Sequence, residues 1–275
     1  MKLKTVFLLV CFVFVTNVQM QANRNDFAFR AGERLEYNVF FNWGFVWMNA
    51  ARSNLMINES THNRKPVYNL SMTTETVRAF SLFYFKDSIS SYVNRNTLLP
   101  YFTCQASHES NFFAIDTYTF HQTTSPWQVT VERQTPRNLR DTLITTDQPY
   151  FDLLSTLYRL RNIDRSTLRE NQRIPMPMVF NDGTHDLQIR FAGREQIRLR
   201  NGKTYNTLVF KPTVAEGKLF EGGERMTIWI SDDENRIPVK IESRLRVGSI
   251  RAMLVSAENT AHPMTSEVTT TNRRR

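Results

Sequence analysis

The chain has 275 residues and a formal net charge of +9, with 41% hydrophobic and 22% charged residues. It holds 9 glycines, 2 cysteines, 20 phenylalanines, and 27 arginines against 8 lysines. The hydrophobic share excludes a disordered chain and implies a real core, two cysteines exclude a disulfide scaffold, and scarce glycine without a short repeat excludes collagen-like and solenoid architectures.

The first segment reads as an export signal. Met1 to Lys4 is positively charged and Val6 to Val15 is almost wholly apolar, which is the length of a secretory h-region and too short to span a bilayer. Ala22 supplies the small residue before a cleavage site, although Met20 is larger than the ideal, so residues 1–22 are expected to be a signal peptide. Cys11 does not fit a lipoprotein signal, because the branched Val10 precedes it and it lies in the middle of the apolar run. Removal of the leader leaves Cys104 as the only cysteine, so no internal disulfide can form and stability must come from the core. No later run is apolar for long enough to cross a membrane as a helix. A polar tail over 264–275 argues against a closing barrel strand.

Along the remaining chain, alternation with period two dominates. Leu35, Tyr37, Val39 and Phe41 share one strand face; Asn42-Trp43-Gly44 breaks it, and Phe45, Trp47, Ala51, Leu55 and Ile57 resume on one parity, as a hairpin would. Further strands are expected over 67–77, 88–94, 99–107, 112–120 and 128–133. Asp147-Gln148-Pro149 then starts a helix, with a cap and a first-turn proline. Its apolar stripe includes Phe151, Leu154 and Tyr158, and Arg159 and Arg161 suit the negative end of its dipole. Beyond it Leu187, Ile189 and Phe191 alternate, Ala192-Gly193-Arg194-Glu195 is expected to turn the chain, and Ile197 and Leu199 follow. Asn201-Gly202 is a favoured hairpin turn into 205–211. Strands over 226–230, 237–241 and 250–254 complete the pattern.

The expected fold is mainly β: a single large antiparallel, curved sheet, open-barrel or sandwich-like, with one packed helix near 149–162. Residues 23–263 form one β-rich domain with no break in composition.

The opening Phe29-Arg30-Ala31-Gly32-Glu33-Arg34-Leu35-Glu36-Tyr37, the helical Tyr150-Phe151-Asp152-Leu153-Leu154-Ser155, and the run from Gly202 through Phe210-Lys211-Pro212 to Ile230-Ser231-Asp232-Asp233 resemble the exported bacterial proteins catalogued as domain of unknown function 3108. The order and spacing of these stretches carry the resemblance, which covers nearly all of the chain beyond the leader. It implies a cell-envelope protein with a mostly β fold, and it implies no reaction.

Signatures of chemistry are sparse. There is no G-x-S-x-G, H-E-x-x-H, C-x-x-C or calcium loop. Cys104 and His108 share a strand face, yet a zinc site needs further ligands, so neither a metal nor a cofactor is expected. His185 reads as a turn residue. Charge placement says more, because most of the excess positive charge lies in the second half. Alternation directs Arg190, Arg198 and Arg200 outward, and likewise Lys240, Arg244, Arg246 and Arg251; guanidinium forks on a sheet face can hold phosphates, carboxylates or sulfated sugars. Phe80, Phe83, Phe85 and Trp127 are the candidates to line an apolar pocket.

The sequence therefore leans away from an enzyme. It points to a non-catalytic exported protein, periplasmic or outer-membrane-associated, that binds an amphipathic or anionic ligand such as a lipid or envelope glycan. Its membrane association would be peripheral rather than integral, and nucleic acid is not an expected partner. The competing readings are a structural or assembly partner of another envelope protein and a cell-wall polymer hydrolase using paired carboxylates.

Overall fold

The structure, a computed structural model, describes residues 27–43, 46–78, 84–110, 112–121, 125–181, 183–214, 226–245 and 248–269. The expected signal peptide at 1–22 and the last six residues of the expected tail lie outside these. Eight strands come first: β1 (Arg34–Trp43), β2 (Val46–His62), β3 (Lys65–Thr76), β4 (Phe85–Asn94), β5 (Pro100–Glu109), β6 (Phe112–His121), β7 (Trp127–Gln134) and β8 (Leu139–Thr146). Helix α1 (Leu153–Arg161) follows, then β9 (Arg173–Phe180), β10 (Gly183–Arg198), β11 (Thr204–Val214), β12 (Met226–Ser231), β13 (Pro238–Arg244) and β14 (Ser249–Glu258).

All fourteen strands join one sheet in the order β8-β7-β6-β5-β4-β3-β2-β1-β14-β13-β12-β11-β10-β9. Two meanders, β1 to β8 and β9 to β14, are sewn together by the antiparallel pairing of β1 with β14. The sheet curls like a barrel but is not closed, since the order ends at β8 on one side and β9 on the other. Every pairing is between antiparallel neighbours, so the turns fall alternately at two ends. One end carries the β1–β2, β3–β4, β5–β6, β7–β8 and β13–β14 connections, and the other the β2–β3, β4–β5, β10–β11 and β12–β13 turns.

Helix α1 fills the curve. Leu154 and Tyr158 pack with Leu35, Tyr37, Leu55, Leu70 and Val239, whereas Leu160 joins a second cluster with Met176, Phe191, Leu208, Phe210 and Ile230. The helix starts four residues later than the sequence suggests. Phe151 instead extends alongside Met178 of β9, exchanging backbone hydrogen bonds with Pro177 and Val179, and Asp152 is the N-cap, in a capping box with Ser155. The remaining carboxylate oxygen of Asp152 accepts hydrogen bonds from Ser91 (2.5 Å) and Thr103 (2.8 Å), which pin the cap to β4 and β5. Tyr150 packs with Tyr118, Phe120, Val129 and Val131 from one side of the open seam and Val179 from the other.

Local departures from simple alternation have identifiable causes. Ala50 is an extra residue opposite β1, where the register shifts between Val39 and Phe40, so Trp47 does not share the face of Ala51 and Leu55 as alternation alone suggests. The expected turn at Ala192-Gly193-Arg194-Glu195 is a bulge within the continuous β10, with Gly193 at φ +112° supplying the conformation it needs. At the β13–β14 turn Gly248 is at φ +76°, and a Cβ there would collide with the Asn42 carbonyl oxygen. Strands β8 and β9 carry no clear sequence signal. Pro175 and Pro177 in β9 are tolerated because this strand forms an edge of the sheet.

The C-terminal segment is part of the fold as far as it is described. Ser266 is buried and donates to Asp233 (2.6 Å), Asn206 N–H donates to the Ser266 carbonyl, and Tyr205 bridges Glu267. Residues 264–269, expected to begin a polar tail, thus add a short extended segment beside β11.

The deepest polar contact lies at the end of α1. The Arg161 guanidinium and the Glu33 carboxylate are both fully buried and form a two-pronged pair, Nη1 to Oε1 at 2.6 Å and Nη2 to Oε2 at 2.9 Å. Arg161 also donates to the carbonyls of Ala28 (3.1 Å) and Asn235 (3.0 Å), while Arg236 donates to the Arg161 carbonyl. Burial opposes the charge on Arg161, but Glu33 outweighs it and lifts the guanidinium pKa above its ordinary value. Removing either partner strands the other charge: Glu33→Gln and Arg161→Met should each cost about 3–5 kcal/mol in chemical denaturation. The double substitution Glu33→Leu with Arg161→Leu should cost less than the sum of the two single losses, and strict additivity would rule out the coupling.

Candidate functional site

The sheet and helix leave a partly open apolar cavity of about 200 Å³ between them. Tyr37, Leu55, Met72, Leu157, Ile241 and Ala252 form most of its wall, so β1, β2, β3, β13, β14 and α1 all contribute. Ser53 and Thr74 are the polar side chains on the β2–β3 side, and they satisfy one another, Thr74 Oγ1 donating to Ser53 Oγ at 2.9 Å. Tyr37 differs. Its buried hydroxyl has no hydrogen-bond partner among the described residues, and burial holds its pKa far above the ordinary tyrosine value, with Arg161 pulling the other way. The cavity therefore offers apolar walls and no carboxylate.

A larger cleft of about 510 Å³ lies beside the end of β3. It is lined by Arg52, Asn54, Lys86 and the run from Thr73 to Arg78, and it shares Thr74 with the cavity. Lys86 reaches Glu75 at 3.8 Å, with both side chains more than half exposed. Arg52 and Arg78 are exposed and have no acidic partner among the described residues. Glu75 is the only acid lining the cleft, so neither hollow presents the two facing carboxylates that glycoside hydrolysis uses.

The cations expected to form one anion-binding face are divided. Lys240 (2.9 Å) and Arg251 (2.8 Å) converge on Glu242, with Arg251 Nη2 adding a second contact at 3.1 Å. Each also covers an indole: Lys240 lies 4.0 Å from the Trp229 ring centre, and Arg251 lies 3.9 Å from that of Trp47. Trp229 donates to Glu195. The result is a strip of alternating acid, indole and cation across the outer face, in which two of the seven cations are already neutralised by one carboxylate. Arg190 lies on β10, separated from β13 by two intervening strands, and donates to Asn171 (2.9 Å), whereas Arg200 lies 4.8 Å from the Phe40 ring centre. Arg198 and Arg244 are exposed without an acidic partner among the described residues, and Arg246 lies outside the described residues. Strand parity places side chains on a face correctly; it says nothing about which acids interleave with them.

The expected aromatic pocket is corrected in the same way. Phe85 begins β4 and Trp127 begins β7, and three antiparallel reversals between them put the two at opposite ends of the sheet. Neither lines the interior cavity. Phe80 and Phe83 lie outside the described residues. Sequence patterning missed the actual wall because its residues come one or two at a time from six elements, such as Tyr37 and Val39 from β1.

Other chemistry is not assembled. Among the described residues no three His, Cys, Asp or Glu side chains group as a metal site. Burial, with Asp116 adding to it, pushes the Cys104 thiol up, away from the thiolate a nucleophile needs. His185 has its Nε2 3.3 Å from the Phe180 carbonyl at the β9–β10 turn, and its Nδ1 is buried without a partner among the described residues.

Comparison with known proteins agrees with the geometry at the level of fold. The family described as "Protein of unknown function (DUF3108)" matches residues 36–255. No curated protein matches. Among solved structures, a beta-barrel-like protein of domain of unknown function DUF1849 from Brucella abortus is similar over 82% of this chain and 96% of its own, at 7% identity and a TM-score of 0.52.

The outer strip has a pH signature. Burial disfavours ionised Glu242, but the hydrogen bonds from Arg251 and Lys240 outweigh it and hold the carboxyl below its ordinary pKa. A depressed native pKa contributes stability above the unfolded-state pKa, and that contribution fades as pH falls through the native value. Glu242→Gln should cost about 1 kcal/mol at neutral pH. The difference from wild type should shrink in denaturation curves taken below about pH 4; a difference independent of pH would show that the carboxylate charge contributes nothing.

Proposed function

The chain belongs to the DUF3108 family, and from that premise we propose that it is an exported, non-catalytic cell-envelope protein that binds an amphipathic ligand inside its curled sheet. The observation that carries this reading is the apolar cavity between α1 and strands β1, β2, β3, β13 and β14. Walls of this kind favour apolar groups over water, which finds few polar partners there. At about 200 Å³ it is smaller than the roughly 300–1,000 Å³ of sites that enclose a whole drug-sized ligand, so it suits the end of an acyl chain with the rest of the molecule outside. The basic cleft that shares Thr74 supplies an anion-compatible surface nearby.

Export rests on the first 22 residues, whose charge and apolar pattern fit a cleaved signal. N-terminal sequencing of the protein recovered from the cell envelope should begin at Asn23; a chain retaining Met1 would overturn export by this route.

For the ligand, a fluorescent long-chain fatty acid should bind the protein with enhanced emission. Ala252→Phe and Leu157→Trp, which fill the cavity, should each weaken that binding at least about tenfold while costing about 1–3 kcal/mol of stability. Protein purified from its own host should release lipid detectable by mass spectrometry. Ligand-free protein, together with probe binding that survives both fillings, would sink the proposal.

A further inference from the structure

We propose that the end of the sheet presenting Val46, Tyr84, Phe112, Phe113, Leu139 and Leu245 is a docking surface for an anionic phospholipid bilayer, and that the cleft at Arg52, Arg78 and Lys86 takes a lipid headgroup phosphate there. The inference is independent of what the interior cavity holds.

Its first support is the placement of exposed apolar side chains. Among the described residues, nine large hydrophobic side chains are exposed. Six of them, Val46 (60%), Tyr84, Phe112 (47%), Phe113, Leu139 (68%) and Leu245, belong to the turns at this one end or to the strand residues next to them. They come from five connections that are distant in sequence, and the antiparallel order alone brings them to one side. None of the nine lies in the β2–β3, β4–β5, β10–β11 or β12–β13 turns at the other end, where Asn63, Arg64, Asn96, Asn201 and Glu234 are found. Single exposed apolar residues need no explanation, but such a segregated set marks an interaction surface. Apolar tips distributed around a rim suit a fluid interface, into which each inserts separately, better than a flat protein partner, which needs contiguous contact.

Charge complementarity identifies the bilayer as anionic. Arg52, Arg78 and Lys86 converge on a cleft of about 510 Å³ in which Glu75 is the only acid. Glu75 is engaged by Lys86 at 3.8 Å, which leaves the two guanidinium groups for an incoming anion. Arg244, next to Leu245 on the adjoining rim, is likewise exposed without an acidic partner among the described residues. Phosphate offers the paired oxygens that a guanidinium fork matches, and basic side chains beside inserted apolar groups are the combination that holds proteins on anionic leaflets.

Cosedimentation of the full-length mature protein with vesicles tests this directly. Phosphatidylcholine vesicles containing phosphatidylglycerol should pull the protein down, and pure phosphatidylcholine vesicles should do so far less. The triple substitution Arg52→Gln, Arg78→Gln and Lys86→Gln should weaken partition onto anionic vesicles at least about tenfold, since each basic side chain near such a surface contributes roughly a fivefold factor. Leu139→Ser with Phe112→Ser should weaken partition onto both kinds of vesicle. Arg64→Gln with Lys65→Gln at the opposite end should bind as wild type, and so should the cavity-filling Ala252→Phe. All of these positions except Ala252 are exposed, so circular dichroism should stay unchanged for the surface variants. Absence of sedimentation with anionic vesicles, equal loss from the opposite-end variant, or binding of inorganic phosphate at the cleft without any vesicle binding would each overturn the docking surface.

Discussion

The buried pair of Arg161 and Glu33 is the constraint on which the rest of this architecture depends. Taking both charges out of water is costly, and the pair persists only because every prong of the guanidinium finds an acceptor: two carboxylate oxygens and the carbonyls of Ala28 and Asn235. Those acceptors come from two places in the chain, and the guanidinium comes from a third. The segment before β1, the end of α1 and the β12–β13 turn meet at one guanidinium, and the turn is itself held by Asp233, which accepts from Ser231, Asn235, Arg236 and Ser266. The C-terminal segment thereby joins the same junction.

A sheet that does not close needs such a junction. With β8 and β9 as free ends of the order, the hydrogen-bonded ladder cannot define the curvature by itself. The nine-residue helix has too few residues to be stable alone, and it is fixed at both of its ends, by Asp152 on β4 and β5 and by Arg161 on the opposite wall. Its middle is consequently held at a set depth, with Leu157 packed at the edge of the core and forming part of the cavity wall. The cavity is thus a consequence of how the helix is suspended. The seam is protected by other means: two prolines in β9, the extended Phe151 beside it, and Tyr150 packed across the gap.

Much of this was legible in the sequence where local rules suffice. Period-two runs such as Leu35, Tyr37 and Val39, or Ile237, Val239 and Ile241, are strands with those residues inward, because both faces of one strand are read from a few neighbouring positions. The residues that failed were those whose state is decided at long range. Pro175 and Pro177 argue against a strand until β9 is known to be an edge. Ala192 to Glu195 reads as a turn, since the residues that make a bulge and a turn are the same. Trp47 changes face because Ala50 is inserted opposite β1. Arg161 reads locally as a complement to the helix dipole, and nothing local marks it as the partner of Glu33, 128 positions away. The stretches on which the family resemblance rested contain Glu33, Asp152 and Asp233, so the recognisable parts of the chain are the fasteners of the fold.

The two ends of the sheet have accordingly been put to different uses. The end with the β2–β3, β10–β11 and β12–β13 turns gathers the Arg161–Glu33 and Asp233 contacts, the start of β1 and the docked C-terminal segment. Few side chains there could change without breaking a contact. The opposite end makes no comparable demands, so folding does not account for its exposed Leu139, Phe112 and Leu245. These side chains lose nothing in the isolated protein if they are replaced by polar ones, and solubility would favour the replacement. On the proposed bilayer docking their apolar character has a reason, since the second phase would meet that end beside the cleft where Arg52 and Arg78 are exposed without an acidic partner among the described residues.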